Sequence, residues 1–471
     1  MTARPAEKRV CLVALYPGSE NTILNSLPNY GVRRVQAGLL ARPDLADVEI
    51  RLVETASRDL DTVQALVEDT APTIVGLSTY IWSFPWLFEL ARRLKRTRPD
   101  RLIIAGGPAA HPAMFGLAEY ADLAGVLDAV VVGEGECTFA DVVALHDHSP
   151  AALQQIPGLH LPSQDGWVPT SPRPPAPAMD AIPSAYQAGL MPPGFGYIET
   201  YKGCPLSCSY CEWGTLDGGR KALSREYLVR ELRAMQRAGV DGLLMIDAGL
   251  NLHPHAFRHL KAAEEEVGFL RHVMFNCEVY PAHMTDEHME FLLATKQPEV
   301  GMGLQSMDKE VLRRLDRPFD DQKFESVVRD IAAVVPVTIE IIMGLPGDNA
   351  ASFRRTFERV SQLPCSLRVY HCVVLPSGLM SRAPAHFDLR FNPRTLKMES
   401  CWGWATEDLR RETAFLDGLA ARDGGFSGDF LWYFQRDAVS GRRPSAAARR
   451  PPSPQAFGGN LLASVDAIGA K

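Results

Sequence analysis

Residues 204–211 read CPLSCSYC, so Cys204, Cys208 and Cys211 follow the spacing C-x3-C-x2-C. Three thiolates this close together can ligate a 4Fe-4S cluster, in which each iron takes one protein thiolate. Four cysteines would complete the coordination of such a cluster, whereas three leave one iron without a protein ligand. The spacing therefore predicts a 4Fe-4S cluster that binds a further molecule at its open iron.

The open iron favours a bound cofactor over simple electron transfer. S-adenosylmethionine carries an amine and a carboxylate that can chelate one iron. A zinc site is a weaker interpretation, because the later cysteines are isolated and no second C-x2-C or H-x3-H pair follows the motif. Disulfides are also disfavoured, because the nine cysteines are odd in number and the N-terminus lacks secretory features.

The composition is that of a globular protein with more than one domain. The chain has 471 residues, 46% of them hydrophobic and 22% charged, so two or three domains are expected. Residues 1–10 are polar and basic, which predicts no signal peptide, and no stretch reaches the ~18 apolar residues of a membrane span. The net charge of −7 argues against nucleic acid as the main partner. We expect a cytoplasmic protein.

Residues 1–150 alternate predicted strands and helices. Apolar runs at 10–16, 48–53, 73–80, 102–105 and 129–132 predict five strands with crossover helices, which favours a doubly wound, flavodoxin-like parallel sheet. The strand ends are rich in small residues, and such ends bind phosphate-bearing ligands. The candidate binding residues at these ends are Ser78, Thr79, Gly106, Gly107, Gly133, Glu134 and Gly135.

The rest of the chain divides into four predicted parts. Residues 151–192 are rich in proline, which predicts a surface linker without internal helix or central strand. Residues 193–380 read as six βα units, which predicts a partial (β/α)6 barrel. We expect a small, mainly helical region at 381–437 that contributes to the substrate pocket. Residues 438–471 are biased in Pro, Ala, Arg and Ser, which is typical of disorder.

Polar residues follow the predicted barrel strands, at the end where barrel active sites lie. They include Asp247 after the second strand and Gln305 with Ser306 after the fourth. Glu278 and Glu340 are acidic residues in apolar strands, where a buried carboxylate needs a partner. Two interpretations remain open for this pair of glutamates, a ligand role or a buried ion pair with an arginine.

The chain resembles the radical S-adenosylmethionine enzymes, in the subgroup with an N-terminal cobalamin-binding domain. The resemblance rests on the cysteine motif, with the aromatic Tyr210 before its third cysteine, and on shorter motifs in the expected order. It extends over about residues 8–380. The shorter motifs are GGP at 106–108, VGEGE at 132–136, LSRE at 223–226, GLQS at 303–306 and GLPG at 344–347.

The resemblance implies three cofactors: a 4Fe-4S cluster on Cys204, Cys208 and Cys211, S-adenosylmethionine and cobalamin, the last as methylcobalamin. It implies that one electron cleaves S-adenosylmethionine to a 5′-deoxyadenosyl radical, although some members transfer a methyl group without that radical. Tyr210 is then expected near the adenine, and Gln305 and Ser306 near the ribose or the methionine carboxylate. A flavodoxin- or ferredoxin-type protein is the implied electron donor.

Two motifs of the wider family are missing. Residues 1–150 lack the Asp-x-His-x-x-Gly motif that supplies a histidine to cobalt in many cobalamin proteins. The Gly-Gly-Glu that often follows the second barrel strand, and accepts the methionine amine, is replaced by Asp247-Ala248-Gly249. Asp247 is therefore the candidate partner of that amine.

These features favour a cobalamin-dependent radical methyltransferase acting on a carbon of a small natural-product precursor or a peptide. A cyclase or rearrangement enzyme of the same architecture is the main alternative. A methylthiotransferase would need a second cysteine-bound cluster, for which residues 1–150 offer only Cys11 and Cys137. A non-enzymatic cluster carrier is disfavoured by the open iron.

Overall fold

The computed structural model describes residues 8–17, 27–164, 166–174, 176, 178–215, 221–317 and 319–435. These residues form two compact units, which meet in the sequence at the bond between Met191 and Pro192. Each unit is built on one large sheet flanked by helices, and this confirms the predicted α/β class. The tail predicted to be disordered, 438–471, lies outside the described residues. The finer domain boundaries stay predictions.

The first unit contains a seven-stranded sheet. Its strands are β1 (Arg9–Leu15), β2 (Glu49–Thr55), β3 (Ile74–Ser78), β4 (Leu102–Gly106), β5 (Ala129–Val131), β6 (Leu159–Ser163) and β7 (Gly166–Pro169). Its helices are α1 (Tyr30–Leu40), α2 (Leu60–Asp69), α3 (Phe84–Thr97), α4 (Pro112–Phe115), α5 (Gly135–Ala144) and α6 (Pro150–Leu153). The order is β2-β1-β3-β4-β5-β6-β7, and β1 to β5 pair in parallel. This is the flavodoxin-like strand order.

Part of the segment predicted as a linker instead adds two strands to this sheet. Strands β6 and β7 continue it in antiparallel pairing. Pro162 lies beyond the residue pairs that join β6 to β5, and Pro169 is the last residue of the edge strand β7. A proline is tolerated in a sheet where no neighbouring strand needs its missing N–H, so these two prolines do not prevent strand formation.

The second unit contains an eight-stranded sheet and a two-stranded one. Its strands are β8 (Gly194–Ile198), β9 (Val240–Met245), β10 (Met274–Glu278), β11 (Gln297–Gln305), β12 (Val337–Met343), β13 (Ser366–His371), β14 (Arg390–Phe391), β15 (Met398–Ser400), β16 (Phe426–Ser427) and β17 (Leu431–Phe434). Its helices are α7 (Arg225–Ala238), α8 (Pro254–Val267), α9 (Asp286–Leu293), α10 (Lys309–Arg314), α11 (Asp321–Ala332), α12 (Ala350–Val360) and α13 (Thr406–Asp423).

Strands β8 to β13 pair in parallel and in sequence order, which is the six-stranded partial barrel expected from the βα alternation. Strand β17 then pairs antiparallel with β13, and β16 with β17. The region predicted to be mainly helical thus has one long helix, α13, and four short strands. Two of these strands extend the barrel sheet because β17 is apolar and aromatic (LWYF) and fits a buried sheet edge.

The two faces of the barrel strands differ in chemistry. Successive residues of a strand point to opposite faces, and the register places Glu278, Glu340 and Arg368 on one face. The other face carries buried apolar side chains such as Met302 and Ile339. Because the apolar face packs on the helices in such a barrel, the polar face lines the interior.

Among the residues that the structure describes, no helix is both long and apolar enough to cross a membrane.

Candidate functional site

The cysteine motif lies in a loop that leaves the sheet directly after β8. Cys208 is buried, whereas Cys204 and Cys211 are partly exposed. Two backbone hydrogen bonds fix the loop: Ser209 N donates to Leu315 O at 3.0 Å, and Cys211 N to Cys208 O at 3.1 Å. The loop also closes tightly, since a Cβ on Gly214 would lie 2.2 Å from Leu206 O. The backbone of the cysteine loop is therefore held in a defined turn.

The donor set fits a cluster better than a single ion. All three motif cysteines are free thiols, and burial raises the pKa of Cys204 and raises that of Cys211 to about 12. No three His, Cys, Asp or Glu side chains in the described part of the chain are arranged to hold one metal ion. A 4Fe-4S cluster takes cysteine thiolates as its protein ligands, and the three free cysteines of this loop are the donor type that it needs.

Tyr210 and Ser209 add unused polar atoms to this loop. Within the described residues, Tyr210 Oη and Ser209 Oγ are buried and have no hydrogen-bond partner. Burial also raises the pKa of Tyr210 well above its usual value. Buried polar atoms normally have partners, so these two hydroxyls are available to a bound molecule. This placement is compatible with the predicted contact of Tyr210 with S-adenosylmethionine.

Arg317 is a site residue that the sequence did not reveal. Its Nη1 lies 3.9 Å from Cys208 Sγ, its Nη2 donates to Gly303 O, and its guanidinium stacks 5.5 Å from the centre of the Tyr280 ring. A fixed cation beside the cysteine loop can balance thiolate charge and bind a carboxylate. No spacing marks Arg317, which is one of several arginines in and after α10.

Gln305 lies at the end of β11 in an unusual backbone conformation. Its φ is +74°, and the strand register shifts between Gly303 and Gln305. A left-handed non-glycine residue is strained, and such strain concentrates at functional sites. Gln305 is buried, and its Oε1 has no hydrogen-bond partner among the described residues. Its predicted role as a cofactor ligand therefore stays open to test.

Ser306 is placed differently from Gln305. Its hydroxyl accepts from Asp308 N at 3.1 Å and donates to Asp348 Oδ2 at 3.3 Å. Both of these bonds lie within the loops after β11 and β12. Ser306 therefore supports the strand end, and a direct contact with the cofactor would require it to give up one of these bonds.

Asp247, the candidate partner of the methionine amine, accepts hydrogen bonds from Thr200 with both of its carboxylate oxygens. Its Oδ1 accepts from Thr200 N at 2.8 Å and its Oδ2 from Thr200 Oγ1. Only 3% of Asp247 is exposed, and burial raises the pKa of its carboxyl to about 8. Asp247 thus ties the loop after β8 to the end of β9. The structure assigns it this supporting contact in the absence of any ligand.

The raised pKa of Asp247 predicts a pH dependence of stability. The unfolded chain has the ordinary Asp pKa near 3.8, so the folded protein binds this proton more tightly than the unfolded chain. The contribution of Asp247 to stability is then full below about pH 4 and is lost as the pH rises towards 8. Asp247→Asn should remove this part of the slope, measured by chemical denaturation between pH 5 and 8. Asp241→Asn, an exposed position on the same strand, should leave the slope unchanged.

Glu340 forms a buried ion pair with Arg368. This was one of the two roles that the sequence left open for Glu340, the other being a ligand role. It accepts from Arg368 Nη1 and, at 3.3 Å, from Tyr370 Oη. Both members of the pair are 2% exposed. Removing one partner of such a pair is strongly destabilising, because it leaves a buried charge without compensation. The main role of Glu340 is therefore to hold Arg368 and Tyr370 in place in the barrel interior.

Glu278 lies in the same interior without such a partner. In the described part of the chain its carboxylate accepts no hydrogen bond and forms no ion pair, and it packs over Gly301, where a Cβ would lie 2.1 Å from Glu278 Oε1. Burial and the neighbouring Glu340 raise the pKa of Glu278 well above its usual value. Arg368 and Arg317 act on the carboxyl of Glu278 in the opposite direction, through their charge.

The candidate residues of the first unit lie at the carboxyl ends of β3, β4 and β5. Ser78 and Gly106 end their strands and pair with each other in the register. Residues 133–135 follow β5, and a Cβ on Gly133 would meet no atom within 4 Å. Open backbone at this edge is where doubly wound sheets bind ligands. The structure thus brings the predicted residues to one edge of the sheet.

Thr79 and Gly107 connect two of these strand ends. Thr79 is fully buried, and both its N and its Oγ1 donate to Gly106 O, at 2.7 and 2.9 Å. Gly107 has a φ of +98°, and a Cβ there would lie 2.5 Å from Thr79 O. Thr79 therefore fixes the backbone at the carboxyl edge of the sheet. Its hydroxyl is occupied by the hydrogen bond to Gly106 O.

Gly107→Ala should destabilise the first unit more than Gly133→Ala. Both glycines have a positive φ, but only at Gly107 does the added methyl group also clash with backbone. We expect a loss of about 2–4 kcal/mol for Gly107→Ala and about 1 kcal/mol for Gly133→Ala. Denaturant unfolding of the full chain measures both values. Equal losses of unfolding free energy in the two variants would show that the loop after β4 can move to accommodate the methyl group.

Two family models match the chain, one in each unit. Residues 21–143 match the B12 binding domain, and residues 198–360 match the radical SAM superfamily. The first match includes strands β2 to β5 with the open glycine edge, and the second runs from the last residue of β8 through the cysteine loop and strands β9 to β12. The three cofactors expected from the sequence, a 4Fe-4S cluster, S-adenosylmethionine and cobalamin, are those of these two families.

Two curated proteins align with both units. The chain is 26% identical to the 2-(S-pantetheinyl)-carbapenam-3-carboxylate methyltransferase of Streptantibioticus cattleyicolor, over 72% of this chain and 53% of that protein. It is 27% identical to the cobalamin-dependent radical SAM methyltransferase TokK of Streptomyces tokunonensis, over 70% of this chain and 51% of that protein. The chain therefore aligns with about half the length of each relative.

A solved structure shares the fold over most of the chain. The cobalamin-dependent S-adenosylmethionine radical enzyme OxsB, with aqua-cobalamin and S-adenosylmethionine bound, aligns with a TM-score of 0.67 and 14% identity. The alignment covers 89% of this chain and 67% of OxsB. The chain therefore matches the B12 binding domain over residues 21–143 and the radical SAM superfamily over residues 198–360, and it shares the fold of OxsB.

Proposed function

We propose that this chain is a cobalamin-dependent radical S-adenosylmethionine methyltransferase. It transfers a methyl group from S-adenosylmethionine, with cobalamin as the carrier, to a carbon of a small natural-product precursor or peptide. The observation that carries the proposal is the three-cysteine loop at the end of β8, in a chain that also has a B12-binding domain. The two curated relatives that span both units are named methyltransferases, which supports methyl transfer over rearrangement.

An unactivated carbon explains why such cofactors are needed. It has no electron pair with which to attack the methyl group of S-adenosylmethionine, so an ordinary transferase cannot methylate it. When bound, the cluster and cobalamin supply the one-electron and methyl-transfer chemistry, while the protein supplies binding and orientation.

Different residues of the second unit are proposed to bind and to orient the cofactors. Cys204, Cys208 and Cys211 would hold the cluster through their thiolates. Arg317 places a positive charge beside Cys208, where it offsets the thiolate charge and attracts an anionic group of the cofactor. Gln305 presents, at the end of strand β11, a buried amide oxygen without a hydrogen-bond partner among the described residues.

The barrel interior suits a polar substrate or cofactor group. Glu340 and Arg368 neutralise each other. The carboxyl group of Glu278 lies in the same interior, and its raised pKa favours the protonated form. A protonated Glu278 can donate a hydrogen bond to a substrate oxygen, and an ionised one can accept from an amine. The proposal includes a flavodoxin- or ferredoxin-type protein as the electron donor.

Deuterium-labelled S-adenosylmethionine tests the proposal without a known substrate. The full chain is loaded with iron, sulfide and cobalamin without oxygen, reduced with Ti(III) citrate, and incubated with the CD3-labelled compound. A methyltransferase should form S-adenosylhomocysteine in proportion to bound cobalamin and retain the CD3 group on protein-bound cobalamin, both measured by mass spectrometry. Protein loaded without cobalamin is the control.

The alternative enzyme class gives a different result. A cyclase or rearrangement enzyme should release 5′-deoxyadenosine and methionine but no cobalamin-dependent S-adenosylhomocysteine. That outcome would contradict methyl transfer while leaving the cluster assignment in place.

A further inference from the structure

A segment from the distant end of the barrel packs on the cysteine loop. Residues 376–382 follow β13 and form an irregular helical turn with Gly378 at its kink. Ser377 donates to Glu212 Oε1 from both its N, at 3.0 Å, and its Oγ, at 2.9 Å. A Cβ on Gly378 would lie 3.1 Å from Tyr210 O. The segment therefore contacts the loop at its last cysteine and on both sides of it.

Arg382 makes the most extensive of these contacts. Its Nη1 donates to Cys208 O at 3.1 Å and to Cys211 O at 3.2 Å, and its Nη2 donates to Ser207 O. One guanidinium thus spans the carbonyl groups of two of the three cluster cysteines. A planar group with several fixed donors holds three acceptors in one geometry at a small entropic cost.

The charge of Arg382 is not neutralised by a carboxylate. In the part of the chain that the structure describes, Arg382 forms no ion pair, unlike Arg368 in the barrel interior. A buried or half-buried cation interacts strongly with a nearby anion because the local dielectric constant is low. A cluster with three thiolate ligands gains negative charge on reduction, so a cation at its ligand loop favours the reduced form.

We infer that Arg382 is a positioning residue that fixes the cysteine loop before the cluster enters and raises the reduction potential of the cluster. Both effects follow from the same three hydrogen bonds, the first from their geometry and the second from their charge. The inference requires that the cluster binds to Cys204, Cys208 and Cys211, but it does not depend on which reaction the enzyme catalyses.

Two variants separate geometry from charge. Arg382→Lys keeps the charge but cannot span three carbonyl groups, whereas Arg382→Gln loses the charge and keeps one donor group. Arg390→Gln, an exposed arginine beyond the segment, is the matched control. The measurements are iron content, the electron paramagnetic resonance signal of the reduced cluster, and its midpoint potential by redox titration of the loaded protein.

We expect the midpoint potential to become more negative in Arg382→Gln and to change little in Arg382→Lys and Arg390→Gln. Hydrogen exchange of residues 204–211 in the metal-free protein should become faster in both Arg382 variants and stay unchanged in Arg390→Gln. Equal potentials in all three variants would overturn the electrostatic role, and unchanged exchange would overturn the positioning role. If the unmutated chain binds no iron, the cluster assignment itself is wrong, and the exchange result still tests the contact.

Discussion

Replacing Cys204, Cys208 or Cys211 with Ala should abolish iron loading and all turnover of S-adenosylmethionine. Each thiolate is the only protein ligand that its iron has, so the loss of one leaves two irons open and the cluster without a stable attachment. Iron and sulfide are measured per chain after anaerobic reconstitution, together with the visible absorbance of the cluster. The three variants should behave alike.

Cys365→Ala is the matched control for this series. Cys365 is a buried cysteine of the same unit, far from the loop in the sequence, and its Sγ lies 3.9 Å from Val360 O. Removing one small buried group costs about 1 kcal/mol, and the iron content should not change. Retention of a full cluster by any of the three motif variants would contradict the ligand assignment.

Arg317→Met should lower the rate of S-adenosylmethionine consumption by about 10²–10³-fold, which is the usual effect of removing one preorganised charged or polar donor. Arg317 is the cation at Cys208 Sγ, and its position is fixed by Gly303 O and by the ring of Tyr280. Methionine has a similar length but no charge. Arg317→Lys should recover part of the rate, since it restores the charge without the planar donors.

Arg314→Met is the control for Arg317→Met. Arg314 lies on the same chain segment, but it is exposed and stacks 5.0 Å from the ring of Trp402. Its loss should change the rate less than about twofold, as is typical for a surface substitution. Equal rates in the Arg314 and Arg317 variants would show that the cation beside the cysteine loop has no part in the reaction.

The sequence predicted the fold well because its signals are local. Apolar runs that end in small residues mark parallel strands. Strands β1 to β5 overlap the five predicted runs, and the six parallel strands β8 to β13 agree in number with the six predicted βα units. Two regions depart from the prediction: the proline-rich stretch, where β6 and β7 form, and the region after residue 381, where short strands accompany α13. Whether a proline blocks a strand depends on which neighbour needs its N–H, and sequence alone does not show the neighbour.

The site was only partly predictable for the same reason. The cysteine loop is a local motif, so its position followed directly from the sequence. The partners of Asp247 and Glu340 are set by tertiary pairing: Thr200 is 47 residues from Asp247 and Arg368 is 28 residues from Glu340. Arg317 and Arg382 reach Cys208 from 109 and 174 residues away, and no local pattern distinguishes them from other arginines.

The strand β17 has a consequence for how the protein is made on the ribosome. All six residues of β13 are buried, and β17 covers its outer edge, but β17 is synthesised after α13. Until then the nascent chain exposes an apolar strand edge, which is a template for association with other chains. A protein shortened before Leu431 would keep that edge open permanently, so the last described strand protects the newly made enzyme from aggregation.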